Sequence, residues 1–276
     1  MHDSQGHGRT NALVIAPMHW QRPDDACGPI RNQLLAGLGR EHIAKLSTHL
    51  HRVPLQRHQV LHERRAPIAF AYFIERGLAS LSARVGERHS LEVGMIGASG
   101  VAGMPIVLGI DSSPHRCVIQ IPGEALRIST ADLRRAIDDI PTLRTLLLAH
   151  AQAAFAATAQ LVVCNTRHRL VERVARSLSI AHDNGEGNEL AVTHDILSRA
   201  LGVRRASVTD TLLRLERGGV LHRGRAKLII SDREKLEELA CDCSRLMRAD
   251  RRGVHAAAIN GAERLARPTC LVAASC

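Results

Sequence analysis

The sequence predicts an α+β protein in three successive parts: a strand-rich N-terminal unit, one long helix, and a C-terminal helix-turn-helix with a hairpin wing. Three observations predict it. Between Val53 and Ile128, short β-prone runs are separated by Gly, Pro, Ser or charges. After Pro141, apolar residues recur in steps of four and three. In Leu190 to Glu216, LAVTHDILSRALGVRRASVTDTLLRLE, a capping residue and a glycine frame two segments of helical period.

In chain order, residues 1–28 are rich in Gly, His, Asp and Pro and read as a flexible arm. From Asn32, Leu34, Leu35, Leu38, Ile43, Leu46 and Leu50 fit two short helices broken near Gly39. The runs VPLQ, QVLH, IAFAYFI, LASLSARV, HSLEVGMI, CVIQI and EALRI then predict many short strands, hence a barrel, roll or sandwich. Glycines such as Gly77, Gly97, Gly100 and Gly123 are expected to supply turns. Ser129 and Asp132 have capping-box spacing for a helix to Asp138, and Pro141 suits the first turn of the next.

In that next helix Leu143, Leu147, His150, Ala154, Ala157, Leu161 and Cys164 form a coiled-coil-like seam. Over barely three heptads, a core helix within one chain fits the same pattern. Thr166 to Ile180 reads as a further helix, and Asp183 to Asn188 as a boundary loop.

Thr193 caps the first helix of the helix-turn-helix, and Gly202 makes the turn, where left-handed backbone costs glycine little. The second helix begins near Arg205, with Val208, Leu212 and Leu215 facing a core. Arg204, Arg205, Ser207, Thr209 and Asp210 fall on or near the outer face. Arginines at a helix N-terminus oppose the macrodipole, so they do not serve helix formation. Phosphates and the O6/N7 edge of guanine accept a guanidinium well; a solvated basic turn is the plainer alternative. The run VLHRGRAKLII, around Arg223-Gly224-Arg225, reads as a basic wing that includes Lys227. A helix from Arg233 to Leu246 follows, then an Arg- and Ala-rich tail, 248–276, expected to be disordered.

Composition narrows the function. Net charge is +10, which attracts polyanions, nucleic acid first. Aromatic residues are 2%, too few for single-strand stacking platforms. No apolar run is expected to reach transmembrane length, and the N-terminus lacks the order of a secretory signal. The seven cysteines are irregularly spaced. The expectation is a cytoplasmic protein with no membrane partner.

Taken together, AYFIERGLASL (Ala71 to Leu81), LEVGMIG (Leu91 to Gly97), VIQIPGEALRI (Val118 to Ile128), LVVCNTRH (Leu161 to His168) and LGVRRASVT (Leu201 to Thr209) resemble the Crp/Fnr superfamily of transcription regulators. The resemblance implies a double-stranded, jelly-roll-like β-roll sensor domain of the cyclic-nucleotide-binding type at 29–140. It further implies a dimerisation helix at 141–165 and a winged helix-turn-helix at 166–247. It implies a homodimer on near-palindromic double-stranded DNA, two helices entering major grooves about 34 Å apart, and RNA polymerase as partner if it activates. Arg205 matches the base-reading arginine; Ser207, Thr209, Asp210 and Arg214 join Thr193, Arg204, Arg223, Arg225 and Lys227 as candidate DNA contacts. Ala206 replaces a common glutamate and Asp210 a common arginine, so the operator should differ there. Asp210 can instead pair with Arg214 at helical spacing. His58 and Arg65 stand where turn glycines are usual.

A cyclic nucleotide needs a phosphate cradle; Gly97, Ser99, Gly100 and Arg116 are the candidates, but no glutamate stands where the family's ribose contact would be. A ligand-independent regulator is therefore expected, with a cyclic-nucleotide-dependent one as the alternative. No cofactor is expected. Cys27 alone cannot hold an iron–sulfur cluster, and Cys241-x-Cys243 lacks a second pair for zinc, so no metal is expected either. His62, His89 and His115 read as scattered surface histidines, which disfavours a metal-dependent β-roll enzyme. No nucleophile elbow, HExxH or P-loop is present, so no catalytic residue is assigned.

Overall fold

The computed structural model describes residues 29–86 and 89–266. The expected arm, 1–28, and residues 267–276 lie outside the described residues. A 3-10 turn at Leu35–Gly37 and α1 (Arg40–Ser47) reproduce the expected break near Gly39. Then come β1 (His51–Leu55), β2 (Val60–His62), β3 (Phe70–Val85), β4 (His89–Ile96), β5 (Val101–Ala102), α2 (Met104–Val107) and β6 (Arg116–Ser129).

These strands form one antiparallel sheet built on a long β3–β6 ladder. One half of the ladder is flanked by β1 and β5, the other by β2 and β4. Between the halves the register shifts repeatedly, from Ile74 to Ala79. Such bulges bend and twist a ladder, which here turns the sheet into a roll. Gly77 and Gly123 sit at this bend. A Cβ at Gly123 would lie 2.1 Å from the Arg76 carbonyl oxygen, so only glycine lets the strands approach. They are bulge residues, not turns. The expected pairs IAFAYFI with LASLSARV, and CVIQI with EALRI, are therefore each one strand.

His58 and Arg65 hold φ of 65° and 60°, so the left-handed turns are kept without glycine. One face of the roll encloses Leu55, Tyr72, Ile74, Ile119 and Cys117. The other packs Phe73, Leu126 and Ile128 against the helices.

Helix α3 (Thr130–Asp139) starts at Ser129, whose hydroxyl accepts from the Asp132 N–H at 3.0 Å, as its capping spacing predicts. Helix α4 (Pro141–Arg167) begins on proline and runs 27 residues. By length and composition it is apolar enough to cross a membrane, contrary to the expectation that no run is. It is apolar on several sides because alanine fills the gaps between its larger residues.

The C-terminal part contains α5 (Leu170–Asn184), β7 (Glu189–Leu190), α6 (His194–Leu201), α7 (Arg205–Arg217), β8 (Leu221–Gly224), β9 (Lys227–Ile230) and α8 (Arg233–Leu239). Strands β7, β9 and β8 make a small antiparallel sheet. Val174, Leu178, Leu197, Leu201, Val208, Leu212, Leu215 and Leu236 close its core. Ala226, in the β8–β9 turn, has φ of 59°. A left-handed alanine costs about 1–2 kcal/mol, and glycine's extra entropy returns about 0.5–1 of that. Ala226→Gly should therefore stabilise this domain by about 0.5–1 kcal/mol, read as a higher urea midpoint.

Two expectations fail here. The helix Arg233 to Leu246 is broken after Leu239, and the described part of the tail is helical, in α9 (Cys243–Ala266). It runs antiparallel along α4. His255 meets His150, Gln160 donates to the Cys243 sulfur at 3.3 Å, and Ile259 reaches Leu146 beside Gly37. Three of its arginines have partners: Arg245 pairs with Asp242, Arg248 pairs with Asp183 and Arg251 donates to Ser99.

Candidate nucleic-acid interface

The Thr193 hydroxyl accepts from the Ile196 N–H at 3.2 Å and so fixes the start of α6. Gly202 ends it at φ 66°, and a Cβ there would meet Leu91 of β4 at 2.8 Å. The left-handed backbone is what favours glycine here, since the Leu91 methyl can shift. Helix α7 follows after two residues, with Val208, Thr211, Leu212 and Leu215 buried beneath it.

That burial turns Arg204, Arg205, Asp210 and Arg214 to solvent, with Ser207 and Thr209 half-buried. Among the described residues, the guanidinium groups of Arg204, Arg205 and Arg214 have neither hydrogen bond nor ion pair. Arg217, which sequence reasoning missed, is a fourth free cation on the same helix. Its signal was its spacing on the outer face, seven residues after Asp210 and three after Arg214. The helical pairing open to Asp210 and Arg214 is not made.

Other predicted contacts are internal struts. Thr209 donates to the Arg205 carbonyl at 3.1 Å and meets His194 Nδ1 at 2.9 Å, which pins α7 to α6. Burial, then the charges of Arg223 and Arg205, keeps His194 below its usual range and so neutral. Arg223 gives both its backbone N–H and its Nε to Glu216, at 2.9 and 2.6 Å. The backbone bond first, and the guanidinium second, hold the Glu216 carboxyl below the usual carboxylate range. Lys227 pairs with Glu189 at 2.7 Å. The wing is therefore braced by Arg223 and Lys227, and Arg225 at its tip is exposed and free among the described residues.

The candidate effector residues are not brought together. Arg116 pairs with Glu63 at 2.8 Å and lies opposite Ser82, whereas Gly97 follows Ile96, opposite Ala79. Three ladder positions separate them, roughly 10 Å. The glycine loop is also filled from within. Arg251 of α9 donates to the Ser99 hydroxyl, the Gly100 N–H donates to the Gly97 carbonyl at 3.0 Å, and a Cβ at Gly100 would touch His150 at 3.5 Å.

The expected seam of α4 is largely covered within the chain. Leu143, Leu147, His150 and Cys164 are buried inside the chain, under the roll and α9, while Ala157 and Leu161 are half-buried and Ala154 exposed. The open apolar stripe is Leu148, Phe155 and Val162, at 42%, 72% and 63% exposure and exact heptad spacing. His62 is buried rather than on the surface, and burial, then the charge of His115, lowers its pKa. The side chain of His89 lies outside the described residues. The second pair that Cys241 and Cys243 were expected to lack does exist: Cys164 and His168, from the end of α4.

Residues 172–239 match the family model of the Crp-like helix-turn-helix domain. No curated protein matches the chain by sequence. Solved structures share the fold. The structure of FixK2 from Bradyrhizobium japonicum is similar at TM-score 0.58 and 15% identity, over 70% of this chain and 98% of that one. CLP of Xanthomonas campestris, described as a c-di-GMP-responsive global regulator, gives 0.57 and 19%, over 70% and 99%. A protein of Eubacterium rectale described as a Crp/Fnr-family transcriptional regulator gives 0.59 and 17%, over 75% and 97%.

Proposed function

We propose that this chain, a Crp/Fnr-type fold carrying a Crp-like helix-turn-helix domain, is a transcription regulator that reads duplex DNA as a homodimer. One observation carries the reading. Arg204, Arg205, Arg214 and Arg217, unpaired among the described residues, cluster on one helix, with the unpaired Arg225 on the wing beside it. Unpaired, exposed guanidinium groups release counterions on meeting phosphates and can hold guanine bidentately. Arg205, in the first turn of α7, is the base-reading candidate; Arg204, Arg214, Arg217 and Arg225 suit the backbone. Ala206 offers no acceptor to cytosine, and the free Asp210 supplies one a turn later.

A second copy would bring a second α7, and the stripe Leu148–Phe155–Val162 is the surface on which it would pair. The filled glycine loop supports DNA binding without a cyclic nucleotide. Selection of bound sequences from a random duplex pool, with and without cyclic AMP and cyclic GMP, tests both points. A palindromic site independent of either nucleotide is expected. Arg205→Ala should then weaken binding to that site by about 1–3 kcal/mol and relax one base position, with a smaller change on unrelated duplex. Unchanged operator affinity in this variant would remove Arg205 from the reading surface.

A further inference from the structure

We propose that Cys164, His168, Cys241 and Cys243 form a zinc site that staples the end of α4 to the start of α9. Their ligand atoms all lie within 4.8 Å of one another, and the three cysteines are buried. The Cys164 and Cys241 sulfurs are 3.5 Å apart, and Cys243 Sγ is 3.5 Å from His168 Nδ1. Zn–S bonds of ~2.3 Å and Zn–N bonds of ~2.05 Å in a tetrahedron place sulfurs ~3.8 Å apart and sulfur ~3.6 Å from nitrogen. The cluster already has nearly that spacing, whereas a disulfide requires about 2.05 Å. Four protein ligands leave no open position, which marks a structural rather than a catalytic site.

The ligands are also placed as such sites require. Cys164 and His168 stand one helical turn apart where α4 ends, with His168 as its C-cap. Cys241 and Cys243 stand in the link from α8 to α9. Gln160 donates to the Cys243 sulfur at 3.3 Å, the kind of outer hydrogen bond that orients a thiolate.

Charge points the same way. Three thiolates and Zn²⁺ leave a net charge of minus one. The buried arginines Arg173 and Arg176 of α5 face the cluster closely enough to interact with its thiols. Arg176 Nε and Nη1 and Arg173 Nε have no hydrogen-bond partner, although Glu92 also feels Arg176. An anionic metal centre would balance these cations. Binding would replace the three thiol protons, which leave to solvent, by three Zn–S bonds, with the neutral His168 imidazole giving the fourth.

Full-length protein purified under reductant is expected to carry one zinc per chain by elemental analysis. After removal of zinc by a chelator, Co²⁺ should give intense thiolate-to-metal charge-transfer bands and tetrahedral visible bands at one equivalent. Cys243→Ser and His168→Ala should each weaken Co²⁺ binding by at least about 100-fold. Cys117→Ser, a buried cysteine of the roll outside the cluster, should leave it unchanged. If the variants fail to fold, the wild-type cobalt spectrum decides alone. A spectrum without thiolate charge transfer overturns the site. So do iron with acid-labile sulfide, or a Cys164–Cys241 disulfide in freshly reduced protein. None of these readouts depends on DNA binding.

Discussion

Replacing Phe155 with glutamate is expected to leave a folded monomer whose operator affinity falls at least about 100-fold. Phe155 is 72% exposed at the middle of α4, with Leu148 seven residues before it and Val162 seven after. Among the described residues nothing covers this stripe, since α9 lies along the side that carries Leu146, His150 and Gln160. Burying one phenylalanine is worth about 1.5–3 kcal/mol, and a symmetric pairing buries two, so roughly 3–6 kcal/mol of dimerisation is at stake. A glutamate pair facing each other adds repulsion to that loss. At about 1.4 kcal/mol per factor of ten, the dimer constant should weaken by well over 100-fold. Sedimentation velocity reads the mass, and far-UV circular dichroism should be unchanged because Phe155 supports little of its own fold. A variant that remains dimeric would move the interface off this stripe. Leu147→Glu gives the contrast: that side chain is fully buried in its own protomer, so the variant should unfold rather than dissociate.

The difference between those two apolar stripes shows where sequence reasoning reaches its limit. The helix-turn-helix was legible because its signals are local: Thr193, Gly202 and the Val208–Leu212–Leu215 spacing are each interpreted within one or two turns. Helix α4 was legible as a helix, but alanines at 151, 153, 154, 156, 157 and 159 let several stripes look like a seam. Which stripe stays open is decided by α9, more than eighty residues downstream, and no local period reports that. Gly77 and Gly123 likewise read as turns, because the clash they avoid is with each other's strand. The metal ligands were the least legible. Cys164 and Cys241 are 77 residues apart, and only the return of the chain along α4 makes the Cys-x-Cys pair meet the helix-end Cys and His. The same return engages the cradle loop: Ser99 accepts from Arg251, a residue whose Arg- and Ala-rich surroundings read as a loose tail.

Acid should loosen that return first. His150 is 7% exposed between α4 and α9, its Nδ1 3.3 Å from His255 Nε2. Burial, then the charges of His255 and Arg251, lower its pKa to about 3. A histidine whose folded pKa is depressed is neutral in the native state, and the unfolded chain binds its proton more readily. Its stabilisation is therefore complete above about pH 6.5 and is lost as pH falls from 6.5 towards 3. The integrated effect is at most about 5 kcal/mol, of which about 2 kcal/mol is lost by pH 5. His255, also lowered by burial and by Arg251, acts in the same direction. His62 and His194 do too, so the wild-type slope alone is not diagnostic. The comparison with His150→Leu is. Between pH 7.5 and 5 the wild-type urea midpoint should fall by the equivalent of about 2 kcal/mol more than that of the variant. Parallel slopes would show that His150 takes up its proton without cost. Because His150 also stands over Gly100, amide exchange at pH 5 should rise earliest in α9 and the 97–103 loop. The order of opening would then follow the packing of α9 rather than the stability of the roll.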